Sequence, residues 1–373
     1  MNFVDLGRQY RAYQKEIDQA ISDVVKSCRF VMGPQVADLE VALAEFVGTS
    51  HAIGVGSGTD ALLLSLMALD VEPGDEVITT AFSFIATAEI IAFLKARPVF
   101  VDIDPVTFNI DVVQLEDIVK QRLRAGARVK AILPVSLFGQ CADMVEINRI
   151  AEANGIPVIE DGCQSFGATY MDAMSCGVSD IGVTSFFPAK PLGCYGDGGM
   201  VFTNDHDIAD RIKRLRNHGQ KVRYQHHEIG LNARLDTIQA AVLLAKFPHF
   251  AEELEKRRLV AEIYTRLIKE KLSGVLPPIV VDDRTSVFAQ YTVRIQDNMR
   301  DSVINALQDR NIPYAIHYPM PLHLQPSMAD FGFKQGDFPV SEQASREVLS
   351  LPMHPFITIS EQEEVIDALA QAF

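Results

Sequence analysis

The chain has 373 residues, enough for two average domains and a large core. Apolar residues make up 48% and charged residues 22%, the balance of an ordinary globular protein, and no apolar run approaches the length of a bilayer span. A formal net charge of -15 excludes a general nucleic-acid surface, and it means that an anionic ligand must be met by a local group of cations.

The first residues, MNFVDLGRQYRAYQKEI, lack the apolar stretch of a signal peptide. Short β-rich runs follow at 52–55, 76–81, 98–103, 131–135, 157–160, 183–187 and 199–203. Helical patterns fill most of the gaps, as at 60–68, 86–94, 144–153 and 208–216. Such alternation predicts a mostly parallel sheet covered on both faces. Only the step from 183–187 to 199–203 has no helix, so it either places one strand antiparallel or reaches across the sheet. A long helical pattern runs from 235 to 272, and Gly274, Pro277 and Pro278 then punctuate the chain. Beyond them, 289–294 and 314–317 read as strands, and 300–310 and 360–372 as helices, a smaller α+β region. The five cysteines are odd in number, widely spaced and without a C-x-x-C pair, which argues against a zinc site or a disulfide framework. A cytoplasmic protein is the expectation.

In open α/β sheets, ligands bind at the carboxyl ends of the parallel strands. Four groups fall at such ends. Gly56-Ser57-Gly58-Thr59-Asp60 leads from a strand into a helix, which suits a phosphate or simply a capped turn; it is not a P-loop, because no Gly-Lys-Ser/Thr follows. Phe82-Ser83-Phe84 comes after the second strand, and Phe84 is placed to stack on a flat heterocycle. Asp161 with Gln164 ends the fifth run, as a partner for a ring nitrogen or as a helix cap. Ser185 and Lys190 close the sixth, in the run Ser185-Phe186-Phe187-Pro188-Ala189-Lys190. A desolvated lysine has a lowered pKa and becomes a nucleophile toward carbonyls. Glycines from Gly193 to Gly199 let backbone pass close to a ligand. A strand-end aspartate followed by such a lysine suggests pyridoxal phosphate (PLP). A dinucleotide-binding oxidoreductase is the weaker reading, since no G-x-G-x-x-G follows the first strand.

The chain resembles the PLP-dependent nucleotide-sugar aminotransferases of the DegT/StrS type. The resemblance rests on Phe3-Val4-Asp5-Leu6, Gly58-Thr59-Asp60-Ala61-Leu62, Ile159-Glu160-Asp161 with Gln164, the run ending at Lys190, Arg216-Asn217-His218-Gly219, Gly230-Leu231-Asn232-Ala233-Arg234-Leu235-Asp236 and His317-Tyr318-Pro319. It covers essentially the whole chain. It implies fold type I of the PLP-dependent transferases, the aspartate-aminotransferase-like fold. That fold is α/β, with a mostly parallel seven-stranded sheet in a large domain (1–245) and a smaller C-terminal α+β domain (246–373) on which the N-terminal helix packs.

The resemblance also implies roles. Lys190 would hold the cofactor's aldehyde and later carry the proton between substrate and cofactor. Asp161 would pair with the pyridine nitrogen, Gln164 would meet the ring hydroxyl side, and Phe84 would cover the ring. Gly58, Thr59 and Ser185 would bind the phosphate, with Asn232 reaching in from the second subunit of a homodimer. Arg234, His317 and Tyr318 would face a UDP-linked keto-sugar, with L-glutamate as amino donor and 2-oxoglutarate as its product. The stretch 190–199 looks most like the subgroup that aminates UDP-2-acetamido-2-deoxy-3-keto-glucuronate. Ala189 and Phe30 depart from that subgroup, which has serine and tyrosine there, so two hydroxyls are missing. A UDP- or dTDP-4-keto-6-deoxyhexose is the alternative substrate. Sugar dehydratases of the family carry histidine in place of the lysine, which Lys190 disfavours. A catalytically silent scaffold or regulator is the reading from another class, and intact Lys190 and Asp161 speak against it.

Overall fold

In a computed structural model of residues 1–373, each of the seven β-rich runs contributes a strand. These are β1 (His51–Val55), β2 (Glu76–Thr80), β3 (Arg97–Val101), β4 (Val129–Leu133), β5 (Ile159–Asp161), β6 (Ile181–Ser185) and β7 (Gly199–Thr203). β2 pairs in parallel with β3 and β4, and β5 in parallel with β6. Parallel bridges from Ile132 to Val158 and from Val135 to Asp161 join the two halves. The spatial order is β1-β7-β6-β5-β4-β2-β3. β7 runs antiparallel to both β1 and β6. The step without a helix therefore turns the chain back beside β6 and does not cross the sheet.

The strands are buried almost throughout because both faces are covered, which explains near-continuous apolar runs without alternation. Six helices of the first half do the covering, α2 (Pro34–Val47), α3 (Gly58–Ala68), α4 (Ala86–Phe93), α5 (Val112–Arg124), α6 (Met144–Glu152) and α7 (His206–Leu215), while α1 (Leu6–Ser27) stands off the sheet. Leu62 and Leu64 of α3 pack with Ile53, Val183 and Val201 on one face. Leu39 and Leu43 of α2 pack with Phe186 and Phe202 on the other. Each such burial is worth about 1.5–3 kcal/mol.

The helical pattern at 235–272 is two helices, α8 (Thr237–Lys246) and α9 (Phe250–Lys271), divided at Phe247-Pro248-His249. Pro248 lacks the N–H that would continue the ladder. α1 packs along α8. At its first turn Arg8 pairs with Glu361 at 2.5 Å, which holds that carboxyl down at about 2. The C-terminal part builds its own sheet from β8 (Val275–Leu276), β9 (Tyr291–Ile295) and β10 (Val348–Leu351), all antiparallel. α10 (Arg300–Asp309), α11 (Pro339–Glu347) and α12 (Ile359–Leu369) complete this part. Its core joins Tyr264 of α9 to Tyr291, Leu307, Leu349 and Val365.

The run at 314–317 is not a strand: only Ala315 bridges, to Ser350. Pro313 and Pro319 flank it, and a proline cannot donate to a ladder. The run at 183–187 also stops early. Phe186 is buried, Phe187 is 51% exposed, and Pro188 ends the extended path.

Candidate active site

The carboxyl ends of β1, β2, β5 and β6 open into one cavity of about 520 Å³. Its walls include Gly58, Thr59, Phe84, Asp161, Gln164, Ser185, Ala189, Lys190, His317 and Tyr318, ten of the expected site residues. Strand-end geometry thus gathers residues far apart in sequence, while the 317–318 segment closes the cavity from the C-terminal part. A wider groove of about 660 Å³ lies between α9 and residues 278–288. Charges there are largely spent on one another, Arg258 with Glu255 and Glu262 and Arg266 with Glu270.

One end of the cavity is built for a phosphate. Ser57 caps α3 by accepting the N–H of Asp60 at 2.9 Å. The N–H groups of Gly58 and Thr59 then have no helical acceptor, and the helix dipole favours an anion before them. A Cβ on Gly58 would lie 2.8 Å from the Cβ of Ser185, and one on Gly199 would lie 2.4 Å from the Ser57 carbonyl oxygen. Glycine is required here by close approach.

Alternation along β5 sends its two carboxylates to opposite faces. Glu160 turns into the protein, where Ser136 Oγ, Ser175 Oγ and the Cys176 N–H donate to it; burial nevertheless pushes its pKa up. Asp161 turns into the cavity. It accepts from Thr87 Oγ1 at 2.9 Å and from the Cys163 N–H at 3.2 Å. Gln164 accepts the Phe138 N–H through Oε1 and donates through Nε2 to Tyr318 Oη at 2.9 Å, so its carboxamide is fixed. Burial pushes the Tyr318 phenol up, keeping it neutral.

Lys190 follows the reverse turn in which its N–H donates to the Phe187 carbonyl at 2.8 Å. Desolvation lowers its pKa, against a smaller upward pull from Cys163 and Asp161. His317 is held at about 4, by desolvation first and by Lys190 second, and its Nδ1 lies 2.9 Å from Ser350 Oγ. It is therefore uncharged at neutral pH. Phe84 is 53% exposed at the cavity mouth, its ring 6.3 Å from that of Tyr318.

Phe30, Asn232 and Arg234 do not line this cavity. Arg234 bridges Val55 at the outer edge of β1 and donates to Asn217 Oδ1 at 2.7 Å. Asn232 bridges Asn217 beside it, and the Phe30 carbonyl accepts from Thr237. The three lie outside the cavity near β1, Phe30 and Asn232 exposed and Arg234 half-buried. Conversely, Thr87, Cys163 and Gln290 line the cavity and were not foreseen. Thr87 lies inside an apolar helical pattern, and only the parallel pairing of distant strands brings it to Asp161.

An acidic group, an amine in a desolvated loop and an anion-binding helix start at one end of the same cavity fit PLP. The comparisons with known proteins agree. Residues 11–370 match the model of the DegT/DnrJ/EryC1/StrS aminotransferase family. The chain is 47% identical to the UDP-2-acetamido-2-deoxy-3-oxo-D-glucuronate aminotransferase of Pseudomonas aeruginosa, covering 99% of each chain. It superimposes with a TM-score of 0.95 on a DegT DnrJ EryC1 StrS aminotransferase from Brucella abortus, 41% identical, covering 99% of this chain and 98% of that one. The ntda protein of Bacillus subtilis, solved with bound pyridoxamine phosphate (PMP), is 29% identical with a TM-score of 0.87, covering 97% of this chain and 82% of that one. The chain belongs to the DegT/DnrJ/EryC1/StrS family as a sugar aminotransferase of fold type I whose cofactor is pyridoxal phosphate.

Proposed function

We propose that the chain moves the amino group of L-glutamate onto UDP-2-acetamido-2-deoxy-3-keto-glucuronate, releasing 2-oxoglutarate. In this reading it works in the cytoplasm, making precursors of a bacterial surface polysaccharide. The observation that carries it is the 47% identity, over 99% of both chains, with an enzyme named for that uronate. Bound PLP supplies the electron sink. Lys190 holds the cofactor and moves the proton, and desolvation lowers the pKa of its free amine, which favours the neutral form. Asp161 keeps the pyridine nitrogen protonated. Gln164 meets the ring hydroxyl side, Phe84 covers the ring, and Gly58, Thr59 and Ser185 hold the phosphate. Tyr318 and the neutral His317 meet the sugar by hydrogen bonds. Arg234 supplies the cation an acidic sugar nucleotide requires, because its fork can bind bidentately. Residues 1–245 form the cofactor-binding domain and 246–373 the smaller one.

The test is a panel of UDP- and dTDP-keto-sugars with L-glutamate and the purified protein, read by product mass. Amination of the 3-keto-uronate is expected. Amination of only a 4-keto-6-deoxyhexose would overturn the substrate and keep the reaction, and the hydroxyls missing at Ala189 and Phe30 favour this second reading.

The position of Asn232 and Arg234 outside the cavity fits a homodimer in which each chain completes the other's site. Exposed Phe30, Val31, Met32, Tyr224 and Ile229 supply apolar area for such a contact. Mixing Lys190→Ala chains with Asn232→Ala chains should restore activity beyond the sum of the two, since each mixed dimer regains one intact site. Strict additivity in a sample proven to exchange subunits would count against sharing.

A further inference from the structure

Two hydroxyls beside α4 take no part in building that helix. Serine and threonine near a helix start usually cap it, their oxygens accepting its free N–H groups. Here Ile85 holds the capping position, and no side chain caps α4. Ser83 and Thr87 face each other instead, with Oγ and Oγ1 3.1 Å apart. They are only 3% and 0% exposed, and both line the cavity that holds Asp161 and Lys190. Phe84, the expected cover of the cofactor ring, lies between them in sequence. A buried hydroxyl is costly unless it is hydrogen-bonded, so the protons of this pair need an outlet.

That outlet is Asp161, and proton counting sets the direction. Thr87 has one hydroxyl proton, which it donates to Asp161 Oδ2 at 2.9 Å. The bond between the two hydroxyls must then use the proton of Ser83. The chain therefore runs from Ser83 to Thr87 to Asp161 and ends on a carboxylate oxygen. The other oxygen, Oδ1, accepts the Cys163 N–H at 3.2 Å. Both of these partners donate and neither accepts, an arrangement that suits an ionised carboxylate. Each carboxylate oxygen has about two acceptor sites, so each keeps one free. A carboxylate held at both oxygens does not turn freely about its terminal bond, and its free acceptor sites stay fixed in direction.

We propose that Thr87, backed by Ser83, is a positioning residue of the transamination, whose hydroxyl holds the Asp161 carboxylate in the orientation that meets the cofactor's ring nitrogen. The proposal rests on the assignment of Asp161 as the partner of that nitrogen. Thr87 acts through Asp161 and on nothing else in the reaction. The Cys163 N–H is a local contact two residues on, of the kind an aspartate makes in any Asx turn. Thr87 comes from a different element, 74 positions away, and so ties the carboxylate to α4. One segment, 83–87, thereby sets both the ring cover and the orientation of the ring-nitrogen partner.

The test is a double-mutant cycle with two readouts: the dissociation constant of PLP from the apoprotein, and single turnovers of the PLP form with L-glutamate. Thr87→Val keeps the shape of the side chain and removes the hydroxyl. It should weaken PLP binding and slow the turnover by about tenfold each, the scale of one hydrogen bond to a charged group. The half-saturating concentration of L-glutamate should not move. Thr87→Ser keeps the hydroxyl and should recover most of both losses. Ser83→Ala leaves the bond from Thr87 to Asp161 in place and should cost less than Thr87→Val. In an Asp161→Asn background, Thr87→Val should cost less than about twofold, because two changes acting through one group are not additive. An equal loss in both backgrounds overturns the proposal. So does a Thr87→Val protein that melts lower yet binds PLP and turns over as the wild type does. If Asp161→Asn alone left both readouts intact, the assignment of Asp161 would fall and the proposal with it. Additive losses beside a large Asp161→Asn effect would strike the proposal alone. Neither readout uses a sugar nucleotide, so failure of the assigned sugar would leave this test intact.

Discussion

Lys190→Ala should lower transamination by about 10⁴-fold, the upper range for losing a positioned proton carrier. The loss should be that large because Lys190 is the one lysine lining the cavity, so no second amine stands ready to replace it. The fold should survive. The ammonium makes no salt bridge, and alanine removes a desolvated group without leaving a charge unpaired. The measurement is the turnover of keto-sugar with L-glutamate, beside a thermal melt. A small primary amine added to the variant should return part of the rate, since the missing function is that of an amine. Activity within tenfold of wild type in a folded sample would remove Lys190 from the chemistry.

Asp161→Asn should cost about 10³-fold in kcat, the scale of losing one preorganised electrostatic partner. An amide cannot keep a neighbouring ring nitrogen protonated, so electron withdrawal by the bound cofactor would weaken. Little else should change. Thr87, which donates to Asp161 and lies 3.1 Å from Ser83 Oγ, can turn its hydroxyl to accept from an amide. A fall in kcat with nearly unchanged KM and melting temperature is therefore expected. If only stability fell, Asp161 would be a strand-end cap and not a cofactor partner.

Much of this was legible in the chain. Strand ends were marked where apolar runs give way at Gly56, Phe82 and Asp161, while the run read as 183–187 ends two residues sooner, at Ser185, and those ends are where the cavity opens. The antiparallel return of β7 was readable as one of two outcomes because a helix was missing. What could not be read depends on contacts between distant segments. Thr87 carries no local signal, and its role comes from the neighbourhood of β5. The break at Pro248 sits inside a strong helical pattern that one residue overrides. The run at 314–317 has strand composition but prolines on either side. Phe30, Asn232 and Arg234 are the instructive group: their family positions marked them as site residues, yet one chain leaves them outside its cavity. The resemblance alone assigned Asn232 to a second subunit; no periodicity or spacing in the chain points there.

The place of β7 also bears on the order in which the molecule is made. β1 is the edge strand and has β7 as its only neighbouring strand, with one further bridge from Val55 to Arg234, so the strand at 51–55 waits for residues 199–203 before its ladder can form. The phosphate cradle waits with it, because Ser57 and Gly58 are walled by Ser185 and Gly199. Contacts so distant in sequence form late. A chain emerging from the ribosome would build β2, β3 and β4 well before it had anywhere to hold a cofactor, and cofactor capture would mark the closing stage of folding of the large sheet.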